Sequence, residues 1–213
     1  MLRKFMFALV LFTLLPHAQA ARDEELVAPL QERWAEIKYR LPEKQQAEQY
    51  AALAKEAHAL SEANPNVAAV LIWEGIIVSS EAGARGGVGA LSLAKQARKL
   101  FEESLKLEEG AMNGSAYTSL GTLYAKVPRW PIGFGDQARA EALFRKSLEI
   151  NPQGIDANFF YGEYLVERER VAEGRDYLER ALLAPPRPGR ELADAGRREE
   201  AYALLKKIVR KAD

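Results

Sequence analysis

The chain has 213 residues, with 30 basic and 30 acidic side chains, two histidines and no cysteine. That balance leaves no basic face for nucleic acid. The missing cysteine excludes disulfides, thiol catalysis, Cys-ligated metals and a lipid-modified N-terminal cysteine.

Residues 1–20 read as a cleavable secretory leader. Arg3 and Lys4 make a short basic start. Residues 5–15 are an apolar run too short for a stable bilayer anchor, and Ala18-Gln19-Ala20 is a small-x-small cleavage site. The mature protein is expected to be one domain, 21–213, with no stable membrane insertion. Its 193 residues suffice for an adequate core. Losing Arg3 and Lys4 leaves 28 basic against 30 acidic residues, a net of −2.

Residues 23–40 place Leu26, Leu30, Trp34 and Ile37 on one stripe, which predicts an amphipathic helix ended by Pro42. Residues 43–63 predict an Ala-rich second helix closed by Asn64-Pro65. A helix at 66–81 carries Leu71, Gly75 and Val78, and its partner at 91–109 carries Ala97, Phe101, Ser104 and Leu105. The Gly-rich stretch 82–90 between them predicts a flexible connection. It lacks the Gly-Lys-Ser/Thr of a phosphate loop, and no strand precedes it.

Two clearer units follow, at 114–152 and 155–186. The first runs Tyr117, Leu120, Gly121, Tyr124, then Ala140, Phe144, Ser147, Pro152; the second runs Asn158, Tyr161, Gly162, Leu165, then Gly174, Leu178, Ala181, Pro186. Gly121 and Gly162 suit the closest approach of two antiparallel helices, and Ala140 and Gly174 do the same on the partners. Proline stops each second helix. A last helix at 193–211 turns Ala201, Leu205 and Ile208 inward and a charged side outward, as an end cap does. The spacing is that of the tetratricopeptide repeat (TPR). The expected fold is all-α: a TPR-like α-solenoid of about four helical hairpins plus a C-terminal capping helix.

Chemistry is sparse. Once the leader is removed, His58 is the only histidine, and it sits mid-helix. Carboxylates such as Glu102-Glu103 and Glu108-Glu109 stand beside Lys and Arg and read as solvated faces. No catalytic, metal or cofactor site is expected, and the protein is read as non-enzymatic. The candidate binding residues are Trp130, Phe134, Asp136, Asn158, Phe159, Tyr164 and Arg190. Trp130 and Phe134 lie in the Pro- and Gly-rich loop 127–136, where they either meet a ligand or tuck under the neighbouring hairpin. Asp136 alternatively caps the helix that begins at Gln137. Asn158, Phe159 and Tyr164 are too widely spread in angle to share one inward face, so at least one should reach the groove or the loop. Arg187 and Arg190 are within reach of a bound carboxylate, with an ion pair to Glu191 or Asp194 as the plainer expectation.

The runs 120–124, 127–136 and 155–162 resemble a family of exported bacterial TPR proteins, akin to the T component of TRAP-type (tripartite ATP-independent periplasmic) transporters. Pro185-Pro186-Arg187-Pro188-Gly189-Arg190 with Ala193-Asp194-Ala195-Gly196-Arg197-Arg198 adds to the likeness. The resemblance implies a periplasmic helical accessory that associates with a solute-binding protein. The leading expectation is therefore a non-enzymatic adaptor that binds a protein or peptide partner. The alternative is a carrier of a small apolar ligand, with a pocket under the 82–90 and 127–136 segments.

Overall fold

The structure, a computed structural model, describes residues 15–212. The expected leader thus lies largely outside the described residues; positions 15–20 join the start of the first helix. Among the described residues there are nine helices and no strand: α1 (Leu15–Arg40), α2 (Glu43–Ala63), α3 (Ala68–Arg85), α4 (Gly87–Leu107), α5 (Ala111–Lys126), α6 (Gln137–Ile150), α7 (Ile155–Glu167), α8 (Val171–Leu183) and α9 (Glu191–Ala212). None of them is long and apolar enough to cross a membrane.

Most boundaries fall where the breakers stand. Pro42 and Asn64 flank α2, and the Asp136 carboxylate accepts the Arg139 amide at 3.0 Å to cap α6. The stretch 82–90 is a correction. It is not an open loop: α3 continues to Arg85 and α4 starts at Gly87, so Gly86 alone separates them. Alanines and Arg85 favour helix here, and a lone helical glycine costs only about 1 kcal/mol. Gly86 (φ +61°) and Gly87, both at positive φ, supply the reversal. A second irregularity opens α5, where Met112, Asn113 and Gly114 form a left-handed turn with φ of 50°, 54° and 75°.

Helices α3 and α4, α5 and α6, and α7 and α8 pack as tight pairs. Glycine makes the close approach possible in each. A Cβ built on Gly75 would stand 2.6 Å from the Phe101 ring, and one on Gly121 would stand 2.9 Å from Phe144. At Gly162 it would stand 2.9 Å from Leu178 and 3.0 Å from the Gly174 carbonyl. The same physical joint therefore recurs three times, and the sequence spacing reflects it. One core joins α3 to α7 around Phe101, Tyr124, Phe144 and Leu165. A second joins α1, α2 and α3 around Val27, Tyr50, Leu53 and Ile77, and takes in Ala193 of α9.

The odd-numbered helices also pack on one another in succession, α1 on α3, α3 on α5, α5 on α7 and α7 on α9. Helix α9 then returns to α1, which closes a ring. The joint is close: a Cβ on Gly196 would stand 2.3 Å from the Tyr39 ring. Tyr39 Oη donates to Glu200, and Lys38 Nζ lies 3.3 Å from the same carboxylate. Asp194 and Arg197 of α9 are buried, so this helix is more than a cap with a solvated outer side.

Candidate functional site

The ring surrounds a cavity of about 1490 Å³ that is half open to solvent. Its lining divides by wall. Ile76 of α3, Leu91 and Ala94 of α4, Leu123 of α5, and Val127 and Ile132 of the following loop give a mainly apolar side, interspersed with Ser79, Ser80, Ser119, Thr122 and Lys126. Trp34, Trp73, Phe159 and Phe160 add aromatic surface. Asp156, Arg187, Arg190, Arg197 and Glu200 come from the first turn of α7, the loop before α9, and α9 itself. They form a charged side.

Asp156 is the hub of that side. Its Oδ1 accepts from Arg197 Nε and its Oδ2 from Arg187 Nη1, both at 2.8 Å. Arg187 also bonds Asp194 at 2.6 Å, and Arg197 bonds Glu200 at 2.6 Å. Burial alone would raise the Asp156 pKa, but Arg197, Arg187 and Arg190 outweigh it and hold the carboxyl well below its usual range. Burial likewise opposes the charge on Arg197, and Asp156 more than restores it. This clasp fastens α9 to α7.

Arg190 stands apart. It is 9% exposed, and its guanidinium makes no hydrogen bond or ion pair with any described residue. It lies over the Trp73 ring, 4.8 Å from the centroid. Burial, then the charge of Arg187, pull its pKa below the ordinary arginine value. Three of the side chains that line the cavity hold a buried polar atom without a partner: Tyr50 at Oη, Trp73 at Nε1 and Arg190 at Nε. The first can donate, and the other two do nothing else.

Of the seven residues singled out from sequence, Phe159 and Arg190 line the cavity. The others are not brought together. Trp130 is 85% exposed and points away from the core, whereas Phe134 packs edge-on to Tyr124 at 5.4 Å beneath the Arg98 guanidinium. The loop thus divides between the two readings, with Trp130 outside and Phe134 inside. Asn158 is fully buried and donates to the Pro152 and Gly154 carbonyls. Tyr164 is buried and donates to the Gln137 carbonyl at 3.0 Å. Asp136 is engaged as the α6 cap. Glu191 accepts the Gly189 amide, and Asp194 pairs with Arg187 rather than Arg190.

The residues that sequence reasoning missed are Trp34, Trp73, Phe160, Asp156 and Arg197. Trp34 is read as core because it sits on the apolar stripe of α1. It is indeed buried, donating Nε1 to Ser80 Oγ at 2.9 Å, yet it also faces the cavity. The three acids here other than Asp156 that face the cavity are also engaged: Glu24 by Gln31, Glu163 by Lys126, and Glu200 by Arg197. In comparisons with known proteins, no family model matches this chain and none of the curated proteins matches it.

Proposed function

We propose that the chain is a TPR-like α-solenoid, closed on itself by α9, that carries a small amphipathic molecule in its central cavity. The observation that carries this reading is the cavity of about 1490 Å³, mainly apolar in its lining, with a charged cluster at Asp156, Arg187, Arg190 and Arg197. Ligand sites of this kind are mostly apolar, with a few polar groups that fix orientation. The recurring joints at Gly75, Gly121 and Gly162 support the repeat reading. The engagement of every cavity carboxylate by a neighbouring donor supports binding over acid–base chemistry. On the resemblance to T components of TRAP-type transporters, the setting is the periplasm and the role is solute handling beside a solute-binding protein.

A second reading keeps the adaptor. Trp130 and Ile132 are 85% and 71% exposed on one loop, and paired apolar groups of that kind suit a protein partner. Native mass spectrometry of the protein, gently isolated from its source, separates the two. A bound small mass is expected. A co-purifying protein lost on Trp130→Ala substitution would favour the adaptor, and a bare chain without either would overturn the carrier.

A further inference from the structure

Resting on the carrier reading, we propose that Arg190 anchors the carboxylate of the cavity's ligand, so that the ligand is a monoanionic carboxylate with an apolar body.

Every other buried cation of the charged wall is matched. Arg187 holds Asp156 and Asp194, and Arg197 holds Asp156 and Glu200. Arg190 is buried like Arg197 and more deeply than Arg187; it feels the charges of Asp156, Glu24 and Asp194 but bonds none of them, and lies over the face of Trp73. A desolvated guanidinium without an acceptor is costly, and a charge-assisted bond relieves it. Glu24 faces the same cavity and its charge is felt by Arg190, but its Oε1 is bonded to Gln31 Nε2 at 2.9 Å and no bond joins it to Arg190.

The charge of the ligand follows from the one buried cation left without a bonded acceptor. Six basic and four acidic side chains line the cavity, and two acids behind it, Asp194 on Arg187 and Glu167 on Lys126, bring the sum to balance. Lys207 is exposed and keeps its own water, so the buried cation without a bonded acceptor is Arg190. One guanidinium fork matches one planar carboxylate in two parallel bonds. The apolar body follows from the rest of the lining, which is mainly apolar: Ile76, Leu91, Ala94 and Leu123 stand among neutral hydroxyls such as Ser80, Ser119 and Thr122.

The test is calorimetric titration of the full mature chain with decanoate, decan-1-ol and decyl phosphate, alongside Arg190→Gln and Arg190→Lys. Decanoate should bind about tenfold to hundredfold tighter than decan-1-ol. Arg190→Gln should erase that preference, and Arg190→Lys should restore part of it. Equal binding of acid and alcohol by the wild type, or a preference that survives in Arg190→Gln, would overturn the anchor and leave the carrier reading standing. Decyl phosphate binding tighter than decanoate would overturn the carboxylate. Failure of all three to bind would overturn the carrier reading itself. Should Arg190→Gln fail to fold, the wild-type ranking alone decides.

Discussion

Asp156→Ala removes the carboxylate that ties α9 to α7. Its two bonds go to Arg197 Nε and Arg187 Nη1, each at 2.8 Å, and Arg197 has only 6% of its side chain exposed. Removing one partner from a buried ion pair costs about 3–5 kcal/mol, because a charge is left uncompensated. Here each arginine keeps a second carboxylate, Glu200 for Arg197 and Asp194 for Arg187. The loss should therefore sit near the low end, at about 3 kcal/mol. For a chain of this size that corresponds to a fall in Tm of about 6–12 °C. Thermal melts read the magnitude, and hydrogen exchange reads the place. Amides of α9 should exchange faster than those of α3 to α6, because the perturbation opens the ring at its closing joint. A loss below about 1 kcal/mol, or faster exchange spread evenly over all helices, would refute the reasoning.

Gly75→Ala should destabilise by about 1–2 kcal/mol, since overpacking against Phe101 exceeds the gain in helix propensity. Gly83→Ala, with nothing within 4 Å of the new Cβ, should stabilise by about 0.5–1 kcal/mol; denaturant melts compare the two. Phe134→Ala should cost about 2 kcal/mol because its ring packs on Tyr124, while Trp130→Ala, at 85% exposure, should stay within about 0.5 kcal/mol. Glu141 accepts from Arg170, Arg145 and Tyr161, which hold its pKa down to about 2. A lowered folded-state pKa means its contribution, about 1 kcal/mol after solvent screening, is present above the unfolded value near 4.5 and lost as pH falls toward 2. Glu141→Gln should flatten that limb of a stability-against-pH curve, and an unchanged curve would contradict the clasp.

The helical pairs were legible because their joints are local and periodic. Leu120-Gly121 with Tyr124, and Tyr161-Gly162 with Leu165, each answered by a small residue and then Phe144 or Leu178, state a close crossing in sequence alone. The lumen was not legible for the opposite reason. An apolar stripe says that Trp34 faces inward, but in a ring inward means both the core between helices and the cavity they surround. The closing contact joins Tyr39 to Gly196, far apart in the chain, and no local period carries it. The charged side of the last helix read as a solvated outer face because charged side chains are normally exposed, yet Asp194 and Arg197 on it are buried, held by Arg187 and by Asp156. At 82–90 glycine content suggested a loop, whereas two adjacent glycines at positive φ, Gly86 and Gly87, were enough to turn the chain. In the loop 127–136, alternation of aromatic and Gly residues did not reveal which aromatic points in; the Arg98 guanidinium over Phe134, brought from another helix, decides it.

The central claim is that the cavity holds an amphiphile, and tryptophan fluorescence tests it most directly. The chain has three tryptophans, and Trp130→Phe leaves Trp34 and Trp73, both of which line the cavity. Titrating that variant with a terminally brominated decanoate should give strong, saturable quenching at one molecule per chain, reversed by unlabelled decanoate. Weak quenching that rises linearly with concentration and ignores the competitor would show the quencher meeting the protein only by collision from outside, and the cavity would not be a binding site.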